Sequence, residues 1–198
     1  MRSRFLTRNE IENIFSCMPF EHRLPFIISL QTGMRIGDVL KLKRKDLKLI
    51  SDSIVEVKYI AEKTGKLGYA TVRGENAVLL LRRKRGFLFP SERGSKSGHI
   101  TRQTAWGRFK RAADRAGVSL DGCSPHSLRK SFAVELRHER GIVAAQHALQ
   151  HDRASLTALY AFSDAFLGID AEEPITWGQV GVLADVVAEL ITSKLAGT

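Results

Sequence analysis

Five places in this 198-residue chain carry side chains able to act on a charged centre. Arg35 lies inside Thr32-Gly33-Met34-Arg35-Ile36-Gly37-Asp38, Lys63 lies inside Glu62-Lys63-Thr64-Gly65, and His126 and Arg129 form a His-x-x-Arg pair. His151 follows Leu149-Gln150, and Tyr160 comes nine residues after it. Opening a phosphodiester without a metal requires such types together: a nucleophile, positive donors for the non-bridging oxygens, and a proton for the departing oxygen. Taken singly, each has an ordinary reading, since arginines near turns are usually solvated charge and a tyrosine near a helix end is usually core. The histidines also admit a zinc site, because Cys123, His126, His147 and His151 read C-x2-H…H-x3-H. That reading leaves Arg35, Lys63 and Tyr160 unexplained.

The charge is unevenly placed. The formal net charge is +10, yet residues 1–160 hold thirty basic and fifteen acidic side chains, whereas residues 161–198 hold one basic and six acidic. A cationic body suits a polyanion, because lysine and arginine laid along phosphates release condensed counterions. Nucleic acid is the partner this implies. Cys17 and Cys123 sit in no CxxC pair, which points away from a disulfide framework and towards a reducing compartment, the cytoplasm. No stretch approaches the roughly 18 to 20 apolar residues of a membrane span.

The elements that must position these groups are mostly helical. Thr7 and Glu10 form a capping box that opens a helix with Ile11, Ile14 and Phe15 on its apolar face. Pro25 is expected to start a second helix that ends at Thr32-Gly33, and Asp38 to Leu42 reads as a further turn. Ile54 to Ile60 and Tyr69 to Val72 read as two strands joined by a basic, glycine-bearing turn. Helical spacing returns around Ala77 to Leu81, and Ser91 to His99 reads as a surface loop. A helix over Thr104–Ala116 is expected to end at Gly117, and Ser124-Pro125 starts another that Gly141 ends. Short helices follow from Ile142 to about Gln150 and from Ala154 to Phe162. Beyond these, Val182 to Leu195 carries an apolar helical face on Leu183, Val186, Val187 and Leu190.

In order and spacing, the five places resemble the catalytic domain of the tyrosine recombinase, or phage-type integrase, family. That family carries an Arg in a Gly-x-Arg-x-Gly-Glu/Asp context, a hairpin Lys, a His-x-x-Arg box, Leu-Gly-His, and a Tyr nine residues beyond. The matching segments here are Gly33–Asp38, Glu62–Gly65, Pro125–Ala133 and Leu149–Tyr160, and the resemblance spans roughly residues 6 to 162. Gln150 stands where the family usually has glycine.

The resemblance implies an α+β, mostly helical fold with a small antiparallel hairpin, and a site-specific DNA strand transferase that uses no cofactor. It casts Tyr160 as the nucleophile that forms a 3′-phosphotyrosyl bond, and Arg35 and Arg129 as the clamp on the phosphate. Lys63 becomes the general acid, with Lys66 its nearest rival. His126 and His151 become phosphate donors or proton carriers, and Asp38 a supporting residue. Lys66, Lys130 and Arg102 are expected to contact double-stranded DNA, and a homo-oligomer, a tetramer on DNA, is expected. Residues 1–162 form the expected catalytic domain and 163–198 an acidic tail whose helix either packs on its own body or reaches a neighbouring subunit. The family's N-terminal core-binding domain is expected to be absent. Two other functions fit the same residues: a catalytically silent DNA-binding module of this fold, and a relaxing topoisomerase that shares the chemistry.

Overall fold

A computed structural model describes residues 3–91 and 97–148. The chain divides into one unit over Met1–Phe132 and a second that starts at Ala133. The first unit holds every described residue of the candidate site.

Helix α1 (Arg8–Ser16) begins where the capping box places it: Thr7 Oγ1 accepts the Glu10 N–H, and the Glu10 carboxylate accepts the Thr7 N–H. Ile11 and Ile14 turn inward, and the helix packs on α5. Helix α2 (Phe20–Thr32) starts five residues earlier than the sequence suggests, with Pro19 as N-cap and Pro25 inside it. The proline's fixed φ is helical and only one N–H is lost, near the helix start, so the strongly apolar run through Leu24, Phe26 and Ile28 buries without a break. Helix α3 (Ile36–Leu40) follows directly, then a 3-10 turn at Arg44–Asp46.

The sheet has three antiparallel strands, β1 (Leu47–Ser51), β2 (Ile54–Ile60) and β3 (Leu67–Arg73), in that spatial order. The expected hairpin is β2–β3, with Ile60 opposite Leu67 at its tip. Strand β1 is an addition to the sequence reading. Only Leu47 of its five residues is buried, so no apolar alternation marks it. Alternation on β2 and β3 sends Val55, Val57 and Val72 into the core and leaves Ile60, Leu67 and Tyr69 on the outer face.

Helix α4 (Glu75–Leu81) and helix α5 (Arg102–Arg115) complete the body; Thr101 Oγ1 caps α5 by accepting the Thr104 N–H at 3.1 Å. Phe109 of α5 meets Phe26 of α2 with ring centroids 5.3 Å apart in the centre of the core. Gly117 takes φ +68° after α5, as its place in the sequence predicts. Helix α6 spans Pro125–Ala148 and is interrupted at Gly141, where φ is 82° and ψ 172°. The expected helix over Ala154–Phe162, the acidic tail and most of the Ser91–His99 loop lie outside the described residues. Among the described residues, no helix is long and apolar enough to cross a membrane.

Candidate active site

Arg35 owes its position to the turn that closes α2. Gly33 adopts φ +67°, a left-handed conformation that glycine takes without steric cost, and its N–H donates to the Ser29 carbonyl at 2.9 Å. Ser29 Oγ donates to the Met34 carbonyl at 2.8 Å, while Thr32 Oγ1 donates to the Ile28 carbonyl at 2.5 Å and accepts the Met34 N–H at 3.3 Å. Both hydroxyls are buried. With the turn locked from two sides, Arg35 follows as the half-buried N-cap of α3.

Arg129 reaches the same turn from the start of α6. Its side chain is 3% exposed, and Nη1 donates to the Gly33 carbonyl. The start of α6 is itself fixed: Ser127 Oγ donates to the Gly122 carbonyl and accepts the Ser124 N–H, each at 3.1 Å, and Ser131 Oγ exchanges hydrogen bonds with Leu6. One glycine carbonyl therefore links the two arginines. Lys130, next along, donates its ammonium to the Ser3 carbonyl.

Lys63 lies exposed in the β2–β3 turn, where the Thr64 and Gly65 N–H groups both donate to the Ala61 carbonyl. Asp38, in α3 and 5% exposed, ties that turn down by accepting the Glu62 N–H on Oδ1 at 3.0 Å. Its Oδ2 is buried with no hydrogen-bond partner among the described residues. Lys41 Nζ pairs with Glu62 Oε1 at 2.8 Å and holds that carboxyl below its ordinary pKa. Lys66 is exposed in the same turn. Arg102, the first residue of α5, lays its stem over Gly37, where a Cβ would come within 2.9 Å of its Cδ.

His126 measures the convergence. The residue as a whole is exposed, but partial removal from water, and then Arg129, Lys130, Arg35 and Lys63, lower its pKa to about 4. An imidazole in this setting is neutral near pH 7, with one ring nitrogen donating and the other accepting. One side chain thus feels cations from three elements: the α2–α3 turn, the β2–β3 hairpin and α6.

Tyr59 was not among the residues the sequence singles out, yet it shares this environment. Burial raises its phenol pKa, Arg129 and Arg35 pull it down, and Asp38 adds to the rise. The available signal was parity: Tyr59 follows Val55 and Val57 on the inward face of β2, at the end that meets the site. Of the sequence-predicted residues, the structure brings Arg35, Asp38, Lys63, His126 and Arg129 together; His151 and Tyr160 lie outside the described residues. Of the candidate zinc set, His147 falls within α6 while His151 lies outside the described residues, and among the described residues no three metal-ligating side chains gather.

A family model described as the phage integrase family matches residues 4–165. The chain belongs to that family. Among curated phage integrase relatives, it is 28% identical over 162 residues to tyrosine recombinase XerA of Thermococcus onnurineus, covering 78% of this chain and 56% of the relative. It is 30% identical over 175 residues to tyrosine recombinase XerD of Vibrio cholerae, covering 78% and 55%. The chain therefore spans about half the length of the curated relatives it matches. The fold is that of the tyrosine recombinase catalytic domain, as the residue pattern implied. A XerH site-specific recombinase in a post-cleavage complex with its difH substrate superposes with a TM-score of 0.67 at 23% identity, over 83% of this chain and 51% of that one. A lambda integrase dimer bound to a COC′ core site gives 0.68 at 21%, over 89% and 52%.

Proposed function

We propose that this phage integrase family member is a site-specific DNA recombinase acting through a 3′-phosphotyrosyl intermediate, on double-stranded DNA in the cytoplasm. The observation that carries the reading is the meeting of three segments: Arg129 of α6 donates to the Gly33 carbonyl in the turn that places Arg35, and Asp38 of α3 accepts the Glu62 N–H in the turn that carries Lys63. In this reading Tyr160 Oη attacks the scissile phosphorus, and the phosphorus–O5′ bond breaks. Arg35 and Arg129 bear the charge that grows on the non-bridging oxygens, a role that a planar fork of donors suits. Lys63 delivers the proton that the leaving 5′-oxygen takes up. Neutral His126 has a ring nitrogen able to accept a proton, and His151 supplies a further donor to the phosphate. The phosphotyrosyl bond conserves the energy of the diester, so a partner strand's 5′-hydroxyl can reverse the step and rejoin the strands without a nucleotide cofactor.

Residues 1–162 act as the catalytic domain in this reading, with Lys66, Lys130 and Arg102 on the duplex and the acidic tail joining subunits. Four copies would act together on two duplexes. A lambda integrase tetramer bound to a Holliday junction, whose fold this chain shares with a TM-score of 0.67, supports that arrangement. The test is a nicked suicide duplex drawn from DNA flanking the gene. Wild type should be trapped as a covalent adduct, and Tyr160→Phe should form none while binding DNA nearly as well. Arg129→Ala should lose cleavage by orders of magnitude; a modest loss of affinity alone would instead indicate a silent binding module. An adduct formed by the Phe variant would move the nucleophile elsewhere.

A further inference from the structure

A second concentration of positive charge lies where β1 begins. An open cleft of about 590 Å³ is lined by Lys43, Arg44 and Lys45 at the 3-10 turn and by Arg83 and Arg85 after α4, with Leu47 as an apolar wall. These two stretches are distant in sequence and are held side by side by main-chain pairing. Lys43 bridges Phe87, the Arg44 N–H donates to the Gly86 carbonyl at 2.9 Å, and the Leu88 N–H donates to the Leu42 carbonyl at 2.8 Å. The cations are therefore placed by the fold.

Two of them are also oriented: Lys43 Nζ sits 4.6 Å from the Phe87 ring centroid, and Arg44 Nε donates to the Leu81 carbonyl at 3.3 Å. The nearby carboxylate, Asp46, is occupied in accepting the Lys43 N–H at 2.8 Å. Among the described residues, no carboxylate pairs with Lys45, Arg83 or Arg85. Five cations gathered beside a single carboxylate cost free energy in the absence of a partner, which an anionic ligand would recover. A second groove of about 450 Å³ shares Lys43 and Lys45 with the cleft and continues past Lys41 and Lys58 to Tyr59 and Asp38. Four lysines, interspersed with the carboxylates of Asp38 and Asp46, thus line the way from the catalytic cluster to the cleft that ends at Arg85.

We propose that this cleft is a second phosphate-binding track that takes the sugar-phosphate backbone of duplex DNA beyond the scissile position; the inference rests on reading the chain as a DNA strand transferase. An acidic peptide would need apolar anchors for affinity, and Leu47 alone offers little. Backbone phosphates need only spaced cations, and such contacts set register on the duplex without reading its bases.

The test is the triple variant Lys45→Gln/Arg83→Gln/Arg85→Gln in the full chain, with a random-sequence duplex several helical turns long. Each lost phosphate contact removes about 0.9 from the slope of log affinity against log salt, so the variant's slope should shrink by about 2 to 3, with affinity about 10- to 100-fold weaker at moderate salt. At saturating DNA, suicide-substrate cleavage should proceed at the wild-type rate. The charge-preserving Lys45→Arg/Arg83→Lys/Arg85→Lys variant should keep the wild-type slope, and circular dichroism checks that both variants fold. Wild-type binding and cleavage together with an unchanged slope in the neutral variant would overturn the track alone. An unchanged slope with lost binding to a poly-glutamate peptide would overturn it in favour of an acidic protein segment. Absence of both DNA binding and adduct in wild type would remove the recombinase reading and the track with it.

Discussion

The Asp38 carboxylate accepts the main-chain N–H of Glu62 at 3.0 Å, so a buried residue of α3 fixes the turn that carries Lys63. Lys63 itself is exposed, and its aim depends on that anchor. Releasing the turn costs a hydrogen bond worth about 1 kcal/mol to stability, but misplacing a proton donor by a fraction of an ångström costs much more in rate. Asp38→Ala is therefore expected to slow single-turnover cleavage by about 10- to 100-fold while changing duplex affinity by less than about twofold. Asp38→Asn, which keeps an acceptor, should fall between that variant and wild type. Faster hydrogen exchange at the Glu62 amide in the alanine variant would mark the loosened turn, and equal losses of rate and affinity would contradict the positioning role.

The depressed pKa of His126 makes a signed prediction about pH. The folded-state pKa is about 4 against an ordinary 6.5, so between those values the unfolded chain binds a proton that the folded chain does not. Stability should therefore fall as pH drops from about 6.5 towards 4, and His126 should contribute no slope above that window. His126→Asn should flatten this part of the profile in urea melts. Titration of the ring by NMR should give a midpoint near 4 in free protein and a higher one with duplex bound, because a phosphate beside the ring favours its charged form. A midpoint near 6.5 in the free protein would contradict both the removal of the ring from water and its cationic surroundings.

Features of the fold with local chemistry were legible in the sequence. Thr7 with Glu10 marked the start of α1, Gly33 and Gly117 marked helix ends, and β-branched alternation marked β2 and β3, because each rests on neighbours within one or two turns of chain. Strand β1 was not legible, since its register comes from pairing with β2 and only Leu47 is buried. Pro25 was misleading as a helix start because burial of Leu24, Phe26 and Ile28 around it outweighs one lost hydrogen bond. At the site, residue types and spacing pointed to Arg35, Lys63, His126 and Arg129. The Gly33 carbonyl, the Asp38–Glu62 bond and the approach of Tyr59 are long-range meetings that no spacing rule encodes. The cleft at Lys43 to Lys45 is the same case, since Arg83 and Arg85 join it through main-chain pairing of Leu42, Lys43 and Arg44 with Gly86, Phe87 and Leu88.

Glu10 ties the N-terminal segment to the loop before α6. Arg4 donates to its two carboxylate oxygens at 2.9 and 2.7 Å, while Arg4 Nε reaches the Asp121 carbonyl at 3.2 Å and its N–H reaches the Gly122 carbonyl at 2.8 Å. The Arg4 hydrogen bonds, more than any other cause, hold the Glu10 pKa below its ordinary value. This contribution is present above the ordinary carboxylate range and is lost as pH falls through the lowered value. Glu10→Gln should cost about 1 kcal/mol in urea unfolding at neutral pH, with the difference from wild type closing in acid. A difference that persists unchanged at low pH would assign the cost to packing instead of charge.

Gly33 carries two duties that a control can separate. Its φ of +67° strains any residue with a Cβ, and its carbonyl accepts from Arg129. Gly33→Ala should destabilise the fold by about 1 to 2 kcal/mol through the backbone alone. Relaxing that strain would rotate the carbonyl and release the Arg129 guanidinium, so cleavage should fall well beyond what the unfolded fraction explains. Gly117, at φ +68° after α5 and with open space around a Cβ, presents the same strain without a catalytic partner. Gly117→Ala should show a similar loss of stability in urea melts and cleave at the wild-type rate. If both alanine variants lose cleavage equally, the Gly33 carbonyl has no special part in holding Arg129. If only Gly33→Ala loses it, the turn after α2 sets the arginine pair by main-chain geometry.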